Sequence, residues 1–551
     1  MLRESGCLTV LSRPTLKRYT GVCSGDVVSS LIKQRLHQES ASWTDREMKG
    51  SLVVDEMAIK QVASYEKKAD RVHGLVEMAG LETELGIESE LATHLLAFVF
   101  VGLSSHYTIP VGYYFTRSTT GEQLHHLKMR VLQSVEEAGF EVVRLVADNH
   151  SSNCKMFSIL SNGAIQPVVP HPMNENRKLF LTFDHCHILK NLRNQLLASN
   201  RLLCDYYSPK YLRMLLDINE KQRSFKPVRR LTRKHVFPTN FEKMNVRRAV
   251  DLFSPEVYIY ICHIRTALSS AIWKAFGGSG FEDSMPTINF MEMIRKWFNI
   301  HNIRSTTFYV ISRGPDRMPF SSCDDERLSW LENDFLQFFA AWKETAPHKR
   351  AFISMETYEA LQITTRSIVE STRFLLRSGF LYVPTAKFSS DPVEALFSTL
   401  RQLNRCNDQT DARAVLSSLQ KVLSMEQRNQ LGEGSSPAIV TTGDEAITES
   451  TDQARSSVAE IRILMRPQLA ALQSSNGAPP SGIKTSTLAL IARFLVKATE
   501  DSVKCHECAE RIKAPRSSGP ATAGIICNAK EQQVVPPRTI FSIFKSSAQC
   551  G

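Results

Sequence analysis

The sequence predicts an α/β protein in which a strand-rich core is interrupted by a large all-α insertion and followed by a mostly helical C-terminal region. Three observations carry this reading. Apolar, strand-length segments crowd the chain between Gly50 and Leu197. From about Ser199 to Ala386 that signal fades into helical periodicity, as in Asn245 to Phe276 and Ser329 to Glu344. A strand-like lead, Leu381-Tyr382-Val383-Pro384, then precedes Asp391-Pro392-Val393-Glu394, where proline in a first helical turn opens another helix.

Within the first part, Ser51-Leu52-Val53-Val54 reads as a short strand delivering Asp55 at its end. His73-Gly74-Leu75-Val76-Glu77-Met78 reads as a second strand, Ala92 to Val101 as a third and Thr108 to Phe115 as another, a meander ahead of any long helix. Gly121 to Ala138 carries Leu124, Leu127, Val131, Leu132 and Val135 at helical spacing and closes at Gly139. Phe140 to Val146 is the next strand and delivers Asp148. Leu179 to Phe183 ends in Asp184 and leads into a helix through Leu197. Antiparallel strands followed by alternating helices and strands is the order of an RNase H-like fold.

Composition bounds the function loosely. Lys and Arg number 67 against 56 Asp and Glu, a net charge of +11 and a pI near 9.0, which draws the chain toward polyanions such as nucleic acid. The densest basic patch, Lys226, Arg229, Arg230, Arg233 and Lys234, fits a nuclear-import signal, a DNA-facing stripe or a solvated face. The longest apolar run, Leu95 to Leu103, is roughly half the ~20 residues a membrane span needs, so no membrane association is expected. The cysteines, mostly isolated (Cys7, Cys23, Cys154, Cys186, Cys204, Cys262), read as thiols of a reducing compartment. Cys505-x-x-Cys508 has no recognised second pair and does not by itself predict zinc.

Cutting and joining DNA strands requires in-line geometry at phosphorus and neutralised charge on the attacking and leaving oxygens. Two Mg2+ ions about 4 Å apart, held by three acidic side chains, supply that. Asp55, Asp148 and Glu394 are the candidate metal and catalytic set. Each aspartate follows an apolar strand and the glutamate opens a helix. An Asp after a strand is more often a turn or cap residue, so the assignment depends on the sequence around it.

That surrounding sequence resembles the P-element-like transposases, which include the THAP-domain transposases. Val54-Asp55-Glu56-Met57 followed by His73-Gly74 resembles their first catalytic strand pair. Asp148-Asn149-His150-Ser151-Ser152-Asn153 is similar to their Asp-Gly/Asn-x-x-x-Asn motif. Phe183-Asp184-His185-Cys186-His187-Ile188-Leu189-Lys190-Asn191-Leu192-Arg193-Asn194 is similar to their Asp-x-x-His block, and Ser390-Asp391-Pro392-Val393-Glu394-Ala395-Leu396-Phe397 to their Gln-Asp-Pro-x-Glu-x-x-Phe block. The four stand in the family's order, and the resemblance as a whole covers roughly Leu11 to Lys513.

The resemblance implies catalytic roles for Asp55, Asp148 and Glu394, DNA (element ends and target) as partner, a homo-oligomer on DNA and a nuclear location. It also implies a GTP cofactor in the insertion, although no phosphate loop of the Gly-x-x-x-x-Gly-Lys-Ser/Thr type is present. Matching positions point to Arg230, Asn245, Val246 and Ser254 near phosphate or ribose, to Phe298, Asn299 and Asn302 near the base, and to Asp391 facing the nucleotide. Asn299 stands where the family has Asp. An amide offers one acceptor where a carboxylate offers two to guanine, so weak guanine selectivity is expected. Asn245 stands where a Lys is usual.

The expected organisation is an N-terminal segment, 1–48, then the RNase H-like core in two parts, 49–198 and 387–430, around the GTP-binding-type insertion, 199–386. A disordered linker, 431–486, a helical segment, 487–513, and a flexible tail, 514–551, follow. With only Cys7 and Cys23 ahead of Asp55, the zinc finger of the THAP-domain transposases is expected to be absent. The main alternative is a domesticated or truncated, inactive transposase-derived protein that binds DNA or protein. A purely GTP-binding regulator is disfavoured by the missing phosphate loop.

Overall fold

The structure is a computed structural model, and it describes residues 43–67, 70–104, 107–198, 206–221, 228–267, 280–312, 314–404 and 409–431. The chain divides between Gly443 and Asp444, and its second unit lies outside the described residues. So do Cys7, Cys23, Cys204, Lys226, Cys505 and Cys508, and with them the calls on the linker, the C-terminal helical segment and the tail.

A six-stranded mixed sheet forms the core. Its strands are β1 (Lys49–Ala58), β4 (His94–Gly102), β5 (Thr108–Thr116), β6 (Glu141–Ala147), β7 (Val168–His171) and β8 (Asn174–Phe183), with β2 (Ser64–Glu66) and β3 (Arg71–His73) forming a separate ribbon. The order across the sheet is β5-β4-β1-β6-β8-β7. β1 pairs antiparallel with β4 and parallel with β6, and β6 pairs parallel with β8.

Central strands in such a sheet are buried on both faces and read as continuous apolar runs. Here Leu52 and Val54 pack with Phe98, Phe100 and the helix α1 (Gly121–Glu137), whereas Val53 packs with Ala97, Val99 and the helices that return after the insertion. α1 is opened by a capping box between Thr120 and Gln123. Beyond its C-cap Ala138, Gly139 takes the left-handed backbone (φ 92°) expected of a helix stop.

Lys128 lies on the buried side of α1, fully covered, with Nζ donating to the Met129 sulfur at 3.0 Å. Burial pushes its pKa from 10.5 down to about 7. The folded state therefore holds fewer protons than the unfolded chain between pH 7 and 10.5. The stability cost is complete below pH 7 and disappears as pH rises toward 10.5. Lys128→Met is expected to stabilise the protein by about 2–3 kcal/mol at neutral pH and to flatten that alkaline rise. Denaturant melts of both proteins across this range check it; equal slopes would refute it.

The expected strand boundaries change in two places. The strand read at His73–Met78 ends at Gly74, whose φ of +99° and close approach to the Val62 carbonyl leave no room for a side chain. Beyond it, Leu75 and Glu77 make only single bridges, to Leu91 and Phe115. The meander is therefore β1-β4-β5, with residues 59–93 as an excursion. β8 begins at Asn174 rather than Leu179, because a hairpin with β7 extends it.

Downstream, α2 (Ser151–Leu160) and α3 (His185–Leu197) flank the sheet. The described insertion residues are helical, with α4 (Lys210–Lys221), α5 (Val246–Leu252), α6 (Pro255–Ala267), α7 (Met285–His301), α8 (Thr306–Ser312), α9 (Leu336–Thr345) and α10 (Met355–Arg377). Within its described residues, the helical stretch read from Asn245 divides at Phe253 and Ser254, because Pro255 has no N–H for a continuing ladder. One turn of π-helix, Trp330–Phe335, precedes α9.

α10 packs on the sheet itself. Thr364 Oγ1 accepts from Phe183 N and donates to Phe183 O, both at 3.0 Å, and Ser367 meets Thr182 at 2.9 Å. The buried Arg144 of β6 donates to Thr182, Ser371 and the Ser367 carbonyl, its guanidinium 3.8 Å from the Phe388 ring centroid. The chain returns through α11 (Asp391–Leu403), where Pro392 lies in the first turn as expected, and α12 (Ala412–Leu431). Val393, Leu396, Phe397 and Leu400 of α11 cover the second sheet face. No helix among the described residues is long and apolar enough to cross a membrane.

Candidate active site

Register places the two aspartates side by side. Val53 of β1 pairs with Val146 of β6, so Asp55 and Asp148, each two residues further on, reach the same level; Asp148 lies just beyond the end of β6, whereas Asp55, expected at the end of its strand, lies within β1, which runs on to Ala58 through its pairing with β4. Ala147 pairs with Phe183, which brings Asp184 to the corresponding level beyond β8. Carboxyl ends of parallel strands are where such sheets gather functional groups.

Asp148 is oriented locally. Its Oδ1 accepts from Asn153 Nδ2 at 2.6 Å and from the His150 N–H at 3.1 Å, which explains the Asp-to-Asn spacing of this motif. Asp55 accepts from the Glu56 N–H at 2.8 Å. Burial raises the Asp55 carboxyl, Asp148 and Glu394 raise it further, and the Glu56 N–H and His187 offset only part of this. The result is about 7.

Asp184 joins two distant parts of the chain. It is fully buried, its Oδ2 caps α3 by accepting from His187 N at 3.1 Å, and its Oδ1 accepts from Ser390 N at 3.4 Å. Burial would raise this carboxyl, but His187, His185 and those two amides outweigh it and hold it below the usual range. Ser390 immediately precedes α11, and its hydroxyl donates to Glu394 Oε1 at 3.3 Å. Asp184 thereby fixes the helix that presents the glutamate.

His187 stands between the carboxylates. Nδ1 lies 3.8 Å from Asp148 Oδ2 and Nε2 3.7 Å from Glu394 Oε1, too long for hydrogen bonds but close for charge. Burial would lower its pKa; Glu394, Asp184 and Asp148 reverse that and raise it. Asp184 and His187 were not among the expected site residues. The helix-cap spacing of Asp184 to His187 marks a helix start but carries no sign of the site.

The structure thus gathers Asp55, Asp148 and Glu394 about one imidazole. In kind the donors fit a hard divalent cation: all are carboxylate oxygens, and their mutual repulsion is what a cation would relieve. As the side chains stand, however, no group of three or more His, Cys, Asp or Glu among the described residues is placed to hold a metal ion.

The residues expected to hold a nucleotide are dispersed in role. Arg230 lies 3.6 Å from Asp251 of α5; Asn245 caps α5, accepting from Arg248 N at 3.0 Å, and Val246 is its first residue. Ser254 is buried with its hydroxyl unpaired. Phe298 is buried against the His185 ring at 5.5 Å, so its ring is not open to a base, and Asn302 ends α7. Asp391 is exposed in the first turn of α11.

At Asn299, the one amide oxygen expected to accept from a base already accepts from Arg317 Nε and Nη2 at 3.3 and 3.2 Å. The Arg317 guanidinium also lies 5.4 Å from the Phe308 ring. Burial lowers the pKa of Arg317 and Arg295, and neighbouring guanidiniums lower them further, Arg304 acting on Arg317 and Arg317 and Arg230 on Arg295, so this part of the insertion concentrates positive charge.

Comparison with known proteins agrees with the fold. Residues 27–161 match the family model "TNP-like, RNase H N-terminal domain" and residues 186–311 match "TNP-like, GTP-binding insertion domain". The human "DNA transposase THAP9" is 22% identical over 266 residues, 46% of this chain and 28% of that protein. The Drosophila melanogaster "Transposable element P transposase" is 20% identical over 357 residues, 64% of this chain and 42% of that protein. In each case the match spans less than half of the relative. Among solved structures, the "Drosophila P element transposase strand transfer complex" shares the fold with a TM-score of 0.62 at 19% identity, covering 78% of this chain and 88% of that one.

Proposed function

From its relationship to the P-element and THAP-type transposases, whose RNase H-like domain and GTP-binding-type insertion this chain shares, we propose that it is a metal-dependent DNA transposase acting in the nucleus, cutting element ends and joining them to target DNA as a homo-oligomer. The observation that carries the reading is the convergence of Asp55, Asp148 and Glu394, two at matched register and the third brought in by the Asp184 to Ser390 link. Asp55, Asp148 and Glu394 would hold Mg2+, which supplies charge neutralisation on the attacking and leaving oxygens. His187 stands beside both Asp148 and Glu394, whose charges, with that of Asp184, raise its pKa against the effect of burial. Residues 49–198 and 387–430 serve as the catalytic body and 199–386 as the insertion, with a GTP-type cofactor near Arg230, Asn245, Val246, Ser254, Asn299, Asn302 and Asp391.

Thermal melts test the metal reading without requiring activity. Millimolar Mg2+ is expected to raise the melting temperature of the wild-type chain by a few degrees, as any ligand of the native state does, and Asp148→Asn is expected to abolish the gain. An equal gain in both proteins would place the cation elsewhere. A second reading, a transposase-derived DNA-binding protein without catalysis, is favoured by the position of His187 between two of the three carboxylates. DNA binding with no Mg2+ response and no cleavage would establish it.

A further inference from the structure

Away from the carboxylates, the stretch Phe237–Met244 presents a surface unlike the rest of the insertion. Phe241 is 85% exposed, Met244 67% and Phe237 46%, exposures that large apolar side chains rarely adopt together. Arg229, Arg230, Arg233, Lys234, Lys243 and Arg247 surround them in sequence and are all exposed. Arg233 and Arg213 lie over the Phe237 ring, 5.3 and 5.7 Å from its centroid. Glu242, the single carboxylate between Val228 and Ala249, is turned inward. It accepts from Thr239 N at 2.9 Å and faces Arg248 at 3.2 Å.

This surface is tied to the catalytic body. Arg193 of α3, fully buried, donates from Nη2 to the carbonyls of Glu242 and Lys243 at 3.3 and 2.9 Å, and Asn194 donates to the Lys243 carbonyl at 3.2 Å. Arg193 is six residues, roughly 9 Å, along α3 from His187. The exposed turn is therefore held at a fixed position relative to the carboxylate cluster.

We propose that this face is a second DNA-contact site, where Phe241 stacks on an unpaired base while the surrounding arginines and lysines hold phosphates. An exposed ring among exposed cations matches a polyanion that also offers π faces. A second copy of the chain would present the same cations and be repelled. The inference rests on the reading of the chain as a DNA-acting protein.

Fluorescence anisotropy with the full chain tests it, using a blunt duplex and the same duplex carrying a short unpaired flank. The wild type is expected to prefer the flanked DNA about tenfold. Phe241→Ala should lose that preference while keeping its affinity for the duplex, and Phe241→Trp should retain it. Lys234→Glu with Lys243→Glu should weaken binding to both DNAs and make the salt dependence shallower. Phe241 supports no core, so its variants should melt with the wild type. A Phe241→Ala protein that binds both DNAs as the wild type does overturns the proposal. So does a wild-type dimer that Phe241→Ala dissociates, which would make this face a contact between copies. Binding to neither DNA removes the transposase reading as well, whereas equal binding to the two removes this inference alone.

Discussion

Asp148→Asn is expected to lower DNA strand cleavage by on the order of a thousandfold or more while leaving DNA affinity nearly unchanged. Asparagine preserves volume and can still accept from Asn153 and the His150 N–H, so the local fold of the motif should survive. It removes one negative charge from a cluster whose concentration is evident in the raised Asp55 carboxyl. Asp55→Asn and Glu394→Gln are expected to behave alike, because three residues acting as one unit lose nearly everything with the first. The measurement is cleavage of a labelled duplex in Mg2+, with binding followed separately. Cleavage that persists in all three variants would mean that the activity does not arise from this cluster.

The second large effect is expected at Asp184, which contacts no substrate in this reading but links α3 to α11. Asp184→Ala leaves two buried amides without acceptors, that of His187, whose bond is the N-cap of α3, and that of Ser390, at about 1–3 kcal/mol each. A loss of about 3–5 kcal/mol in stability is expected in denaturant melts, together with loss of cleavage as Glu394 loses its anchor. Asp184→Asn keeps one acceptor and should fall between the two. The carboxyl is held below its ordinary range in the folded state. Its contribution is therefore present above the unfolded carboxylate pKa of about 3.9 and is lost as pH falls through the folded value. The wild type should lose stability over that acid interval and Asp184→Ala should lose less. Matching acid profiles would show that Asp184 carries no such charge linkage.

Much of the core was legible from local pattern. α1 was bounded correctly from apolar spacing and Gly139, the start of α11 from Pro392, and β1, β4, β5 and β6 to within a few residues. These features depend on neighbours a few positions away. The three candidate carboxylates were found through the motifs around them rather than through their own chemistry. Asp184 and His187 stood in plain view in the same block, yet nothing local distinguishes a cap residue that also accepts from Ser390, over two hundred residues later.

What only the tertiary structure decided is who meets whom. The pairing of Val53 with Val146 sets the level of the two aspartates, and α10, read as part of a helical insertion, lies on β8 through Thr364 and Ser367. Arg317 takes the amide oxygen of Asn299, an engagement that no motif encodes. The strand expected at His73–Met78 is broken by the carbonyl of Val62 pressing against Gly74. Helix and strand periodicities are written in adjacent residues. Register, packing of one element on another and competition for a single acceptor depend on side chains that become neighbours only when the chain has folded.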